Sequence, residues 1–209
     1  MRALLICGLV APLAGCSGFF ETDTPPVQSY VLRVMPPSES AAGAPLKGTL
    51  RVSQPLASPG LESDRIVLVQ SDHRLDYFQA SRWAASLPEV VESLAIETLR
   101  STGVWSIVQG SSSGFPSDYT LQITVRRFDA DYSENPNAPV IRVAFDCVVA
   151  RRSDRELLGG FTAEASEQIG ENRLTSVVAA FESATNKALM TVAERTAQSV
   201  RTSKAPTLP

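Results

Sequence analysis

The stretch YTLQITVRRF, residues 119–128, decides the fold. Tyr119, Leu121, Ile123 and Val125 alternate with Thr120, Gln122, Thr124 and Arg126. That period of two belongs to a strand with one face in a core and the other in water. Residues 140–151 repeat the pattern and place Ile141, Val143, Phe145, Cys147 and Val149 together, so Cys147 faces the core. After the turn Ser153-Asp154-Arg155, residues 157–169 return with Phe161, Ala163 and Ala165 on the inner face. Three long strands joined in sequence predict an antiparallel meander.

Upstream, residues 27–34 and 46–53 read as strands, separated by a Pro, Ser, Gly and Ala loop over 35–45, and residues 55–60 break the second. Residues 65–70 are apolar on both parities, the pattern of a strand covered on both faces, and 75–78 follow after the polar turn 71–74, which together predict a hairpin. Residues 105–109 are a further short strand, 110–114 a Gly/Ser link, and 131–139 a loop.

Two helices are expected. Ser86 can cap the first, with Pro88 in its first turn and Glu89 at the capping-box position. Leu87, Val91, Leu94, Ala95 and Thr98 then share a face, and Gly103 ends it. In the second, Leu174, Val177, Val178, Phe181, Thr185, Ala188, Leu189 and Val192 recur at helical spacing and the helix runs to near Arg201. The pattern is therefore α+β: an antiparallel or mixed sheet with two principal helices packed against it, in a single domain.

The amino end has a different character. Met1-Arg2, an apolar run, and Leu13-Ala14-Gly15-Cys16 form the signature of a lipoprotein signal peptide, cut before a cysteine that is then lipidated. The apolar run is far shorter than the roughly 20 residues that span a bilayer, so attachment falls to acyl chains on Cys16. Ser17 rather than Asp follows the lipidated position, which leans the sorting to the outer membrane, on its periplasmic face. The boundaries expected are a signal peptide over 1–15, a tether over 16–26, a folded domain over 27–202 and a tail over 203–209.

Of three cysteines, Cys7 leaves with the signal and Cys16 carries lipid, so Cys147 has no partner for an intramolecular disulfide. The mature chain of roughly 190 residues is long enough to bury its own core without one. A net charge of −3, mixed along the chain, gives no basic stripe of the kind nucleic acid requires.

The residues offer little chemistry. The single histidine, His73, sits in a hairpin turn beside Ser71 and Asp72, too close in sequence to form a nucleophile–base relay. One histidine and one core cysteine cannot supply tetrahedral zinc. Asp129, Asp131 and Glu134 cluster near a loop, without the spacing of a calcium loop. Gly159-Gly160 reads as a bulge or a close strand contact rather than a phosphate cradle. Cys147 is a reactive thiol or, more commonly on such a face, a small hydrophobe. No catalytic residue, metal or cofactor is assigned. Tyr77, Arg82 and Trp83 place two aromatics and an arginine between hairpin and helix, where they are either interface anchors or, for Trp83, packing over the helix start.

Several segments together resemble those of a known family: Ser29-Tyr30-Val31-Leu32, residues 61–69 with Arg65-Ile66-Val67, Tyr77 with Arg82-Trp83-Ala84, Ser117-Asp118-Tyr119-Thr120-Leu121, and Ala180-Phe181 with Ala184. Their order and spacing are similar to those of the ABC-type transport auxiliary lipoproteins, the PqiC-like partners of Mce-type lipid transport systems. The resemblance implies a non-catalytic outer-membrane lipoprotein that binds the periplasmic Mce-type component, with self-association into a homo-oligomer seen in some relatives. A second reading, from a different class, is a carrier holding a lipid between sheet and helices. A third, an envelope hydrolase, would need activity that disappears with His73.

Overall fold

The computed structural model describes residues 26–35 and 44–203. The expected signal peptide, Cys16, most of the tether, the centre of the 35–45 loop and the end of the tail lie outside these residues. In chain order the elements are β1 (Gln28–Tyr30), β2 (Leu46–Val52), β3 (Leu56–Ala57), β4 (Arg65–Val69), β5 (Leu75–Trp83), α1 (Leu87–Ser101), β6 (Trp105–Gln109), β7 (Tyr119–Asp131), β8 (Val140–Arg151), β9 (Leu157–Gln168) and α2 (Leu174–Ser203). They form one mixed sheet of nine strands with both helices against it, the α+β class expected.

The strand that opened the sequence reading is the spine of the sheet. Along one edge, β7 pairs with β8 over its whole length, and β8 pairs with β9, both antiparallel, as the meander required. The other edge is shared by three short strands in succession, all parallel to β7. Leu50 of β2 lies opposite Tyr119, Leu56 of β3 opposite Thr124, and Leu68 of β4 opposite Ala130. Residues 56–57, inside the segment expected only to break a strand, thus form a rung of their own. Alternation along a strand fixes which face is buried, not which neighbour it takes, so parallel pairing was not readable from the pattern.

Side chains from alternate positions of β7 and β8 point to the helices and are fully enclosed: Leu121, Ile123, Val125, Ile141, Phe145 and Val149 are all 0% exposed. From the other side α2 contributes Val177, Phe181, Ala184, Ala188, Leu189 and Val192. Small residues in the middle of that stripe let the 30-residue helix lie close to the sheet. Gly159 shows how close: a Cβ there would stand 2.7 Å from the Ser199 hydroxyl of α2. The bulge expected at Gly159-Gly160 is also present: Gly159 lies opposite Val149 and Leu157 opposite Ala150, which leaves Leu158 as the extra residue, and the close contact is to α2 rather than to a strand.

Helix α1 begins as its sequence dictates. The Ser86 amide donates to Glu89 Oε2 at 3.3 Å, and Leu87, Val91, Leu94, Ala95, Thr98 and Leu99 are buried. Gly103, at φ 64°, turns the chain out of the helix. The helix also protects an edge of the sheet. Arg100 donates from Nε and from its terminal nitrogen to the Val108 carbonyl of β6, at 3.1 and 2.8 Å.

The largest departure concerns β5, which was expected to end at Phe78 and runs on to Trp83. Val67 of β4 lies opposite Tyr77, but Arg65, two residues earlier, lies opposite Arg82, five residues later. The surplus on β5 is taken up by a bulge in which Ala80 adopts φ 49°. Beyond it the strand pairs again, with the Trp83 amide donating to the Asp64 carbonyl at 2.7 Å. The bulge sends Trp83 inward. Its ring is 1% exposed, edge-on to Phe128 at 5.8 Å and to Phe181 at 5.3 Å, and these two stack at 4.9 Å.

Candidate functional surface

Because both helices lie on one side, the far face of the sheet is open. On it the side chains of Thr120, Gln122, Thr124 and Arg126 of β7 stand beside Asp146 of β8 and Thr162 and Glu164 of β9. Arg126 bridges Glu164 and Asp146. Further along, Arg127 donates to both oxygens of Asp129, at 3.1 and 2.8 Å, and to Asp131 at 3.0 Å. Arg142 reaches Asp131 and Glu134, each at 2.9 Å. A register shift between Val125 and Arg127 puts these two consecutive arginines over the same part of the sheet.

This network replaces the calcium reading of Asp129, Asp131 and Glu134. Guanidinium groups already occupy the oxygens a cation would need, and the two aspartates are only 5% and 8% exposed. Burial by itself would raise the Asp131 carboxyl, but the hydroxyl and amide of Ser133 and the guanidinium of Arg127 outweigh it and hold the group at about 2. Arg127 is correspondingly pushed above its ordinary value, first by its bond to Asp129. The shallow cleft of about 370 Å³ beneath Arg126, Arg127 and Arg142 is therefore lined by cations already engaged with carboxylates.

The three residues expected to mark an interface do not share a fate. Trp83 is in the core, which corrects the anchor reading for that residue: a side chain enclosed by Phe128 and Phe181 has no surface to offer. Tyr77 is half-buried beneath the Arg65 guanidinium, 3.8 Å from its ring centre. Arg82 is half-exposed and points to Asp64 at 3.7 Å and to the Ser29 hydroxyl at 3.3 Å, tying β5 to β1. His73 stands exposed at φ 62° in the β4–β5 turn, as expected of a turn residue. Cys147 is 2% exposed, and burial first, then the charge of Asp146, pushes its thiol up to about 12, which makes it an inert core group.

The amino-terminal segment is fastened to α2. The Arg33 amide donates to Glu182 Oε2 at 2.9 Å, the Met35 amide to Asn186 Oδ1 at 2.7 Å, and Asn186 Nδ2 to the Arg33 carbonyl at 2.8 Å. Neither Glu182 nor Asn186 stood out in the sequence, because a helix surface full of polar residues gives no sign of which will bind a distant backbone. Between this strap and α2 runs an open groove of about 500 Å³ bordered by Tyr30, Val31, Val178 and Glu182.

Among the described residues no group of three or more His, Cys, Asp or Glu side chains is placed to hold a metal ion. No described helix is long and apolar enough to cross a membrane. Fold and surface together define a two-layer α+β domain whose buried charges are engaged with one another. The family is established by sequence: a model described as the ABC-type transport auxiliary lipoprotein component matches residues 30–193, and the chain belongs to that family. No curated protein matches it.

Solved structures share the fold. A crystal structure of a DUF330 protein from Xanthomonas campestris is 22% identical, with a TM-score of 0.76 over 86% of this chain and 100% of that one. A hypothetical protein from Chlamydia trachomatis is 10% identical, with a TM-score of 0.54 over 74% of this chain and 98% of the other.

Proposed function

We propose that this auxiliary lipoprotein is held by acyl chains on Cys16 at the periplasmic face of the outer membrane and docks the periplasmic Mce-type component of a lipid-transporting ABC system there. In this reading residues 1–15 are removed, residues up to 26 form the tether, and residues 27–202 are the docking domain, acting without catalysis. Self-association of the domain belongs to the same proposal. The family membership carries the reading. It is supported by a fold that commits its buried carboxylates to structure and leaves a whole sheet face and its ends available for contact. Tyr77 and Arg82 remain candidates for that contact.

The lipid-carrier alternative is less well supported. An acyl chain between sheet and helices would need the volume that Trp83, Phe128 and Phe181 fill, and the clefts described are open to solvent rather than enclosed. The test is affinity purification of the tagged protein from gently solubilised envelopes, with copurifying proteins identified by mass spectrometry. Recovery of an Mce-domain protein is expected. Recovery of only unrelated envelope proteins across several detergents would overturn the docking role. Replacing Cys16 with alanine should release the protein from the membrane fraction.

A further inference from the structure

The two ends of β7 differ in what surrounds them. Alongside the second half of β7, at about the level of Arg127, β4 and β5 carry β1, where the chain enters the domain from its amino-terminal side. At the Tyr119 end, the 110–118 loop and the β8–β9 turn come together, because Tyr119 is paired with Arg151. With β7 13 residues long, these ends stand about 40 Å apart.

The Tyr119 end displays apolar groups on a fixed frame. Phe115 is 77% exposed and Leu157 is 71% exposed, the two highest values among the large hydrophobic side chains of the described residues. Phe115 is not on a loose loop. Gln109, 8% exposed, donates from Nε2 to the carbonyls of Phe115 and Pro116 at 3.2 and 3.1 Å, and Arg51 donates to the same Phe115 carbonyl. Leu157 projects from the other side, opposite Ala150. Holding a large apolar side chain in water on an ordered backbone lowers the entropy lost when a partner covers it.

The charges at this end complement one kind of partner. Lys47 and Arg152 line a basin of about 600 Å³ that Ser117 joins to the Phe115 loop, and Arg155 stands at φ 60° in the adjoining turn. None of these three cations has a carboxylate within 4.0 Å among the described residues. The nearby acids are already engaged: Asp118 accepts the Thr49 amide, and Asp154 and Glu156 both hold Arg151. Set against Asp118, Asp154 and Glu156, the four cations Lys47, Arg151, Arg152 and Arg155 leave one positive charge beside exposed Phe and Leu.

The geometry points to this end as the docking surface for a protein segment that brings carboxylates together with apolar side chains. The inference rests on the docking reading above and places the main contact at this end, in preference to Tyr77 and Arg82, which lie on the β4, β5 and β1 side of the sheet. Because the tether joins the domain at β1, this is the end of β7 farther from the point of attachment.

The test compares full-length wild type with two paired variants, Phe115→Ser with Leu157→Ser and Lys47→Glu with Arg152→Glu, and a control, Leu56→Ser, an exposed leucine elsewhere on the sheet. Each is assayed for Mce-domain protein copurified from solubilised envelopes, for melting temperature, and, in a Cys16→Ala background that lacks the acyl anchor, for binding to vesicles containing phosphatidylglycerol. Both pairs should lower recovery about tenfold or more, with the melting temperature and the control unchanged. Undiminished recovery in both pairs would overturn the placement while leaving the docking role intact. Loss of vesicle binding with recovery unchanged would overturn it in favour of a lipid surface. Failure of wild type itself to recover the partner would remove the docking reading and this inference with it.

Discussion

Replacing Trp83 with alanine should unfold the domain more readily, not merely blunt its surface. The indole is 1% exposed and meets Phe128 and Phe181 edge-on, so its removal loses both the transfer of a large apolar side chain and the two ring contacts, and opens a cavity. Truncations of this kind cost about 3–5 kcal/mol, of which each aromatic contact accounts for roughly 0.5–1.5 kcal/mol. The neighbours cannot collapse into the space easily, because Phe128 and Phe181 are held face to face between β7 and α2. At about 2–4 °C per kcal/mol for a domain of this size, a loss near 4 kcal/mol lowers the melting temperature by roughly 8–16 °C. Circular dichroism melts and urea titrations of wild type and variant read this directly. A variant that melts within about 2 °C of wild type yet no longer recovers the partner would refute the argument, since only an exposed anchor behaves that way.

Acid should weaken the fold through Asp131. Its folded value of about 2 lies below the ordinary 3.8, so the stabilisation is complete above about pH 4 and is lost as pH falls through 2. The difference corresponds to about 2 kcal/mol; Asp131→Asn should be less stable than wild type by about that amount in urea at pH 7, and the gap should narrow by pH 2. Cys147 should resist maleimide at pH 7 and become modified only in step with denaturant unfolding. Rapid stoichiometric labelling with native circular dichroism retained would contradict its burial. Gly48→Ala should cost about 1–3 kcal/mol by urea titration, because the position has φ 135° and a Cβ would stand 3.0 Å from the Tyr119 ring.

Sequence pattern reached some parts of this structure and not others, for physical reasons. The meander and both helices were legible because their signals are local: alternation marks the inner face of β7 and β8, and Ser86, Pro88, Glu89 and Gly103 each act within a turn of their own position. The order of the strands was not. Leu50, Leu56 and Leu68 lie opposite three points on one edge of β7, and nothing in their own segments names that partner. Trp83 was ambiguous for a related reason. Whether an aromatic after a hairpin points in or out depends on the bulge at Ala80, and an alanine at positive φ leaves no mark in the sequence. The arginine–aspartate network was half visible. The acids stood out as a cluster, but their partners Arg127 and Arg142 come from two strands and meet only through the register of β7 with β8. Phe115 was hidden by its place directly after the Gly/Ser link of residues 110–114, where the pattern suggested flexibility and the fold supplies a clamp.

The strap formed by residues 33–35 has a mechanical meaning. A load applied at the amino terminus enters the domain through β1, a ladder of only three residues, and would peel it from β5 if that were its sole attachment. The side chains of Glu182 and Asn186 grip the next stretch of backbone and pass part of the pull to a helix 30 residues long. Tension is thereby divided between the edge of the sheet and the body of α2, and the core behind them is spared from being unravelled strand by strand.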